Sequence, residues 1–400
     1  MKFIERTITS KLVDMVKKFP VVYLTGPRQS GKTTLLKLLF HKCFEYVNLE
    51  EKDSLDFALS DPRGFLNAYK GRLIIDEAQR APELLSYIQA KLDHRDIPGM
   101  YILIGTRDFT MMKNISRSLA GRVGILILPP LSLEELGKAG RLPKSAGEWI
   151  FNGAYPRLVS AKIEPEDFFS SYIAACIEKD IRFDFIIRQF DKFRRFLGAV
   201  AASTGKPVNL STLGEEASVD ARTANSWLSI LEGNFILFRL PAYYSNLGKR
   251  YVKSPKIYFY DTGLLCALLG FTRQEELSLH PMRGHIFESA VISESAKKYF
   301  SSGRRPALYY WQESANSEKE IKLLEGSPRG LELNDIKLSQ TANKDYAKYL
   351  LKFKPPTRTE IKTRRVIYDG SDKPVFSGVR YANWKSLFGE QACGISTDAS

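Results

Sequence analysis

The apolar run Val21-Val22-Tyr23-Leu24-Thr25 leads directly into Gly26-Pro27-Arg28-Gln29-Ser30-Gly31-Lys32-Thr33, and a segment with helical apolar spacing then runs from Thr33 to Phe40. A strand, a glycine-bounded loop and a helix in this order constrain the chain more than any other feature. The loop N–H groups and the first helical turn converge where negative charge is favoured. Gly26 and Gly31 allow left-handed or close-approach backbone. Lys32 supplies a charge for β and γ phosphates, and Thr33 a hydroxyl for Mg²⁺, a hard cation that takes oxygen ligands. The expected contacts to ATP or ADP are Gly26, Pro27, Arg28, Gln29, Ser30, Gly31, Lys32, Thr33 and Thr34, with Lys32 also acting on the transition state.

Further apolar runs at Phe44 to Leu49, Leu73 to Ile75, Tyr101 to Ile104 and Val123 to Leu128 alternate with helical patterns at Thr33 to Phe40 and Glu83 to Leu92. Alternation of this kind predicts a mostly parallel sheet covered by helices. The third run delivers Asp76 and Glu77 to a strand end, where open α/β sheets bind ligands. Asp76 is expected to share the Mg²⁺ shell with Thr33, and Glu77 to activate the water that attacks the γ phosphate. Thr106, after Gly105, reads equally as a residue that positions this water and as an ordinary turn residue. Arg122, before the fifth run, reads equally as a surface arginine and as a source of transition-state charge, a role worth roughly 10³ to 10⁵ in rate.

At 400 residues the chain exceeds what one core holds, and two or three domains are expected. The divisions fall at residues 1–140 for the nucleotide domain, 141–271 for a helical segment and winged helix-turn-helix, and 272–400 for a C-terminal α/β domain. Thr212 and Glu215 have capping-box spacing, and Ala224, Trp227, Leu228 and Leu231 form an apolar helical stripe beyond the turn Ser218-Val219-Asp220. The longest apolar stretch, Val123 to Leu133, contains Pro129 and Pro130 and is shorter than the roughly 20 residues of a membrane span. Met1 to Arg6 lacks a secretory pattern, so the cytoplasm is the expected location and no membrane partner is expected. Cys43, Cys176, Cys266 and Cys393 are scattered and read as reduced, mostly packing residues.

The formal net charge is +14, which favours a polyanionic partner. Residues 337–385 hold 12 Lys or Arg against four acidic residues, so the excess is concentrated. Arg239, Lys249, Arg250, Lys253 and Lys256, interleaved with Tyr243, Tyr244 and Tyr251, suit a wing touching phosphates. DNA contact is therefore expected through residues 222–256 and the basic C-terminal segment. Arg222, Thr223, Asn225, Ser226 and Ser229 face away from the apolar stripe, a thin set for reading bases. A solvated face or an acidic protein partner would explain the same charge, and a homo-oligomer is a further open reading.

The segments GPRQSGKTTL (26–35), LIIDEAQRAPELLSYIQ (73–89), SLAGRV (118–123), LPPLSLEEL (128–136), KRYVKSPKIYFYDTGLL (249–265) and GHIFESAVISE (284–294) occur in one order. Together they resemble a bacterial and archaeal family of AAA-type P-loop ATPases with a C-terminal domain of restriction-endonuclease character. The resemblance implies a parallel-sheet AAA-type core, a winged-helix module and a nuclease-like α/β domain. In that domain Glu288 and the triplet Asp335-Ile336-Lys337 match the family's metal-holding pattern, but Lys322 stands where an aspartate belongs. An ammonium there repels the cation, so no DNA cleavage is expected. The resulting expectation is an ATPase that couples nucleotide state to domain movement, with DNA as the candidate partner; a nucleotide-locked scaffold with little turnover is the alternative. A small-molecule kinase is disfavoured, since the adjacent Asp76-Glu77 pair suits hydrolysis.

Overall fold

A computed structural model describes residues 3–94, 97–105, 115, 117–178, 189–243, 254–314, 317–327, 330–355, 359–376 and 378–389. All five N-terminal apolar runs are strands: β1 (Val21–Thr25), β2 (Phe44–Asn48), β3 (Arg72–Asp76), β4 (Tyr101–Gly105) and β5 (Val123–Ile127). They form one parallel sheet in the order β2-β3-β4-β1-β5. The three inner strands are apolar and buried on both faces, as a helix-covered parallel sheet requires. Val21, Tyr23, Leu73, Ile75, Tyr101 and Leu103 pack on one face, and Val22, Leu24, Ile74, Ile102 and Ile104 on the other. The helix after β1 is Lys32–Phe40, and the helix expected from Glu83 runs Leu84–His94.

Within the segment 141–271, Phe168 and Phe169 lie on the helix Pro165–Tyr172 and Phe193 and Phe196 on the helix Phe190–Ala202, all four buried. Two helices, Leu210–Ala217 and Ala221–Gly233, follow, joined at Ser218, whose φ is 55°. The expected capping box at Thr212 is not formed: Asn209 caps the first helix, its side chain accepting from Ser211 N and Thr212 N. A box of that type occurs instead at Ser132 and Glu135. The antiparallel pair β6 (Leu237–Leu240) and β7 (Lys256–Phe259) comes next.

The long helix Arg283–Ser301 packs against a six-stranded mixed sheet. Its strands are β8 (Leu308–Gln312), β9 (Glu320–Ser327), β10 (Gly330–Lys337), β11 (Ile361–Tyr368), β12 (Lys373–Phe376) and β13 (Val379–Asn383), in the order β12-β13-β11-β10-β9-β8. One hydrophobic core runs from Leu131 to Trp384, so the segments 141–271 and 272–400 share it. Trp149 stacks on Trp384 with ring centroids 4.6 Å apart, joining the helical segment to the helix after β13. No helix among the described residues is long and apolar enough to cross a membrane.

Candidate nucleotide site

The loop expected to hold phosphates sits where β1 ends between β4 and β5. Gly26 has φ 149°, and a Cβ there would fall 2.2 Å from the Leu128 carbonyl oxygen, so no other residue fits. Gly31 has φ 92° and opens the helix at Lys32. The Lys32 ammonium is buried and donates to the carbonyls of Gly26 at 3.0 Å and Pro27 at 2.9 Å. Burial pulls its pKa down to about 8, against the opposing attraction of Glu77 and Asp76. Arg28 forms an ion pair with Glu50 at 3.6 Å.

β3 carries Asp76 to the same place. Its Oδ2 accepts from Thr33 Oγ1 at 2.6 Å and from the Tyr46 hydroxyl at 2.9 Å, while its Oδ1 accepts from Glu77 N at 2.9 Å. The Thr33 hydroxyl and Asp76 carboxylate are the hard oxygen pair that Mg²⁺ takes beside substrate phosphates, so these residues fit the cation. The buried hydroxyls of Thr25 and Ser30 have no hydrogen-bond partner among the described residues. Glu77 sits in left-handed backbone at φ 54°, uncommon for a residue with a Cβ, and its Oε2 accepts from Gln79 Nε2.

Three family descriptions match the chain: an AAA domain over residues 18–137, a domain of unknown function (DUF8612) over 143–275 and a domain of unknown function (DUF4143) over 283–387. Uncharacterized protein Rv2008c of Mycobacterium tuberculosis and Uncharacterized protein Mb2031c of Mycobacterium bovis are each 30% identical over 332 residues, spanning 82% of this chain and 73% of theirs. The chain belongs to the family of these mycobacterial proteins. Among solved structures, the Walker-type ATPase PABY2304 of Pyrococcus abyssi aligns with TM-score 0.45 and 17% identity, covering 66% of this chain and 96% of that one. The AAA match places an AAA-type P-loop core at residues 18–137, and the C-terminal match is to a domain of unknown function.

The structure brings Lys32, Thr33, Asp76 and Glu77 together as expected, but not Arg122. That residue precedes β5 at the strand's N-terminal end, level with Val21, whereas the loop follows Thr25. Four residue steps at about 3.3 Å place it roughly 13 Å or more from its own phosphate site. There it pairs with Asp93. Thr106 lies outside the described residues, as do Lys249, Arg250, Lys253, Tyr244 and Tyr251 of the expected wing. Of the other wing residues, Arg239 pairs with Glu232, Lys256 is buried against Glu320, and Tyr243 packs edge-on against Tyr309. In the structure these three have partners within the chain.

In the C-terminal part, Glu288 of the long helix, Lys322 of β9 and Asp335 of β10 converge. The Lys322 ammonium pairs with Glu288, and the Tyr258 hydroxyl donates to the other Glu288 oxygen at 2.6 Å. Burial alone would raise the Glu288 carboxyl, but Lys322 and Lys256 outweigh it and hold it below its usual range. Burial raises Asp335 despite Lys337 and Lys322. Among the described residues no three His, Cys, Asp or Glu side chains are grouped to hold a metal.

Tyr46 and Gln79 escaped the sequence reading. Gln79 follows Glu77 by two residues inside an already noted segment, but its role depends on a 3₁₀ turn, Ala78–Arg80, that folds it back. It also needs the space left by Gly105, where a Cβ would meet Gln79 Oε1 at 2.3 Å.

Proposed function

We propose that the chain binds ATP with Mg²⁺ at residues 26–34 and hydrolyses it. The observation that carries this reading is the 2.6 Å contact between Thr33 and Asp76 with Glu77 next in sequence. Bound Mg²⁺ would neutralise charge on the β and γ oxygens. Lys32 holds the phosphates, and Glu77, released from Gln79, accepts the proton of the attacking water. The Glu77–Gln79 hydrogen bond also supports a second reading, a nucleotide-locked protein with slow turnover, because an acceptor engaged by an amide is not poised as a base. Phosphate release separates the two: Glu77→Gln should lose roughly 10² to 10⁴ in turnover while binding ATP as before. Equal turnover in the variant removes the hydrolytic role.

The nucleotide site is tied to the C-terminal part by hydrogen bonds. Leu133 N, beside the Ser132–Glu135 cap, donates to Glu294 at 2.9 Å, and Lys297 donates to the Leu131 carbonyl at 2.9 Å. Both partners lie on the long helix, which supports coupling of nucleotide state to that helix. The helix pair 210–233 with the β6–β7 ribbon supports a winged-helix reading, and Glu288, Asp335 and Lys337 a nuclease-like ancestry in which Lys322 removes cutting. DNA would meet the exposed Arg222, Asn225, Ser226 and Ser229 and the basic 337–385 segment in a sequence-tolerant way. A binding constant unchanged between low and moderate salt would sink the DNA contact. Arg122 would serve as a finger only toward a neighbouring copy of the chain.

A further inference from the structure

Arg6 belongs to none of the phosphate-site segments, yet it is 4% exposed and is gripped on three sides. Its Nη1 donates to the Ser30 carbonyl at 2.7 Å, its Nη2 to the Pro129 carbonyl at 2.6 Å, and its Nε to Glu135 Oε1 at 3.1 Å. The same Glu135 oxygen accepts from Thr7 N at 2.8 Å and Thr7 Oγ1 at 3.0 Å, and Glu135 Oε2 accepts from Ser132 N at 2.9 Å. The carboxylate is therefore fully used and fixes the guanidinium in one orientation. A planar fork with donors on several edges is the side chain suited to bridging two carbonyls and a carboxylate at once.

The consequence lies in the peptide between Ser30 and Gly31. It is planar and trans, so its N–H points opposite to its C=O. Holding the Ser30 oxygen toward Arg6 aims the Gly31 N–H away from Arg6. Left-handed Gly31, at φ 92° and ψ 19°, has freedom to turn, and nothing of its own side chain limits it. Pro129 follows Leu128, whose oxygen crowds Gly26, so Arg6 fastens the start and the end of the loop to one frame.

We propose that Arg6 is a positioning residue for the nucleotide site, locking the Ser30–Gly31 peptide so that its N–H faces the phosphates. The role rests on the ATP-binding reading. Without the clamp the cradle samples other peptide orientations and affinity falls, while chemistry on bound ATP changes less.

The test uses the full chain, a fluorescent ATP analogue and thermal melting, with Lys32→Ala as the control. Arg6→Ala should raise Kd for ATP at least tenfold and raise KM, with kcat within about threefold of wild type, a tenfold change being about 1.4 kcal/mol. Arg6→Lys keeps the buried charge near Glu135 but has one donor group, so it should recover part of the affinity and stay at least threefold weaker than wild type. If Arg6→Ala does not fold, Arg6→Lys decides. A folded Arg6 variant that binds ATP as the wild type does overturns the proposal while leaving the ATP site standing. A wild type indistinguishable from Lys32→Ala removes the ATP site and the proposal with it.

Discussion

Two places in this molecule set a lysine, a tyrosine hydroxyl and carboxylates from strand or helix together, and they resolve the charges in opposite ways. At the phosphate loop, Lys32 turns to the carbonyls of Gly26 and Pro27, leaving Asp76 to hydroxyl and amide donors. In the C-terminal cluster, Lys322 pairs directly with Glu288, 1% exposed, and lies within reach of Asp335 electrostatically. The first arrangement keeps an oxygen pair that a cation can share. The second satisfies its carboxylate internally. A lysine next to an acidic strand end is therefore compatible with opposite chemistry, and the partner of its ammonium decides which.

Removal of each lysine should break the two sites differently. Lys322→Ala leaves Glu288 buried without its cation, a change that costs about 3 to 5 kcal/mol in such pairs. Its unfolding midpoint should fall sharply with ATP affinity little changed. Adding Glu288→Leu to Lys322→Met should restore most of the loss, since an apolar pair of similar volume removes both charges. Lys32→Ala should do the reverse, weakening ATP by roughly 10²-fold, about 2.7 kcal/mol. Its melting point should hold or rise, because the ammonium it removes is desolvated, with its pKa pulled down to about 8. Equal melting losses in the two variants would erase the distinction.

The parts of this contrast differed in legibility. The five parallel strands and the Lys32–Asp76–Glu77 set were readable because each rests on local spacing: apolar runs, glycines and a strand end. Lys322 was readable as a charge in the wrong place, but its partner depended on the approach of the long helix to β9. For Arg122, adjacency to a strand does not say which end of the sheet the residue occupies; register with Val21 places it opposite the loop of its own chain. Arg239 and Lys256 counted toward a basic wing, yet Glu232 and Glu320 neutralise them from seven and 64 residues away. Charge counted along a sequence omits such partners. Arg6, 129 residues from Glu135, was invisible for the same reason.

The pH dependence sharpens the comparison on a smaller scale. Phosphates favour charged Lys32, so binding above pH 8 must take up a proton, and affinity is present below that pH and fades above it. With one such proton, Kd for ATP should rise about eightfold between pH 7.5 and 9, as titration with calorimetry in buffers of different ionisation heat would detect. Glu288 and Lys322 are both held in their charged forms, the ammonium raised by Glu288 and Asp335 although burial alone would lower it. Stability from that pair should stay flat across the same interval. A flat ATP affinity would mean that Lys32 is charged throughout and that its burial does not matter to binding.

The smallest effects come from the two tyrosines. Tyr46 and Tyr258 each donate to a carboxylate, at 2.9 Å and 2.6 Å, but the carboxylates have different tasks. Asp76 keeps Thr33 and Glu77 N as donors in Tyr46→Phe, so the fold should survive with little loss while the Mg²⁺ concentration for half-maximal turnover rises a few-fold. Tyr258→Phe removes a fully buried donor to Glu288 and should cost about 1.5 kcal/mol of stability, the low end for a hydrogen bond to a charged group, with no change in Mg²⁺ dependence. The observation that would merge the two sites is a shift in Mg²⁺ dependence of the same size in both variants. In that case the C-terminal cluster communicates with the phosphate loop, and the hydrogen bonds of Leu133 N to Glu294 and of the Lys297 ammonium to the Leu131 carbonyl are where the communication would run.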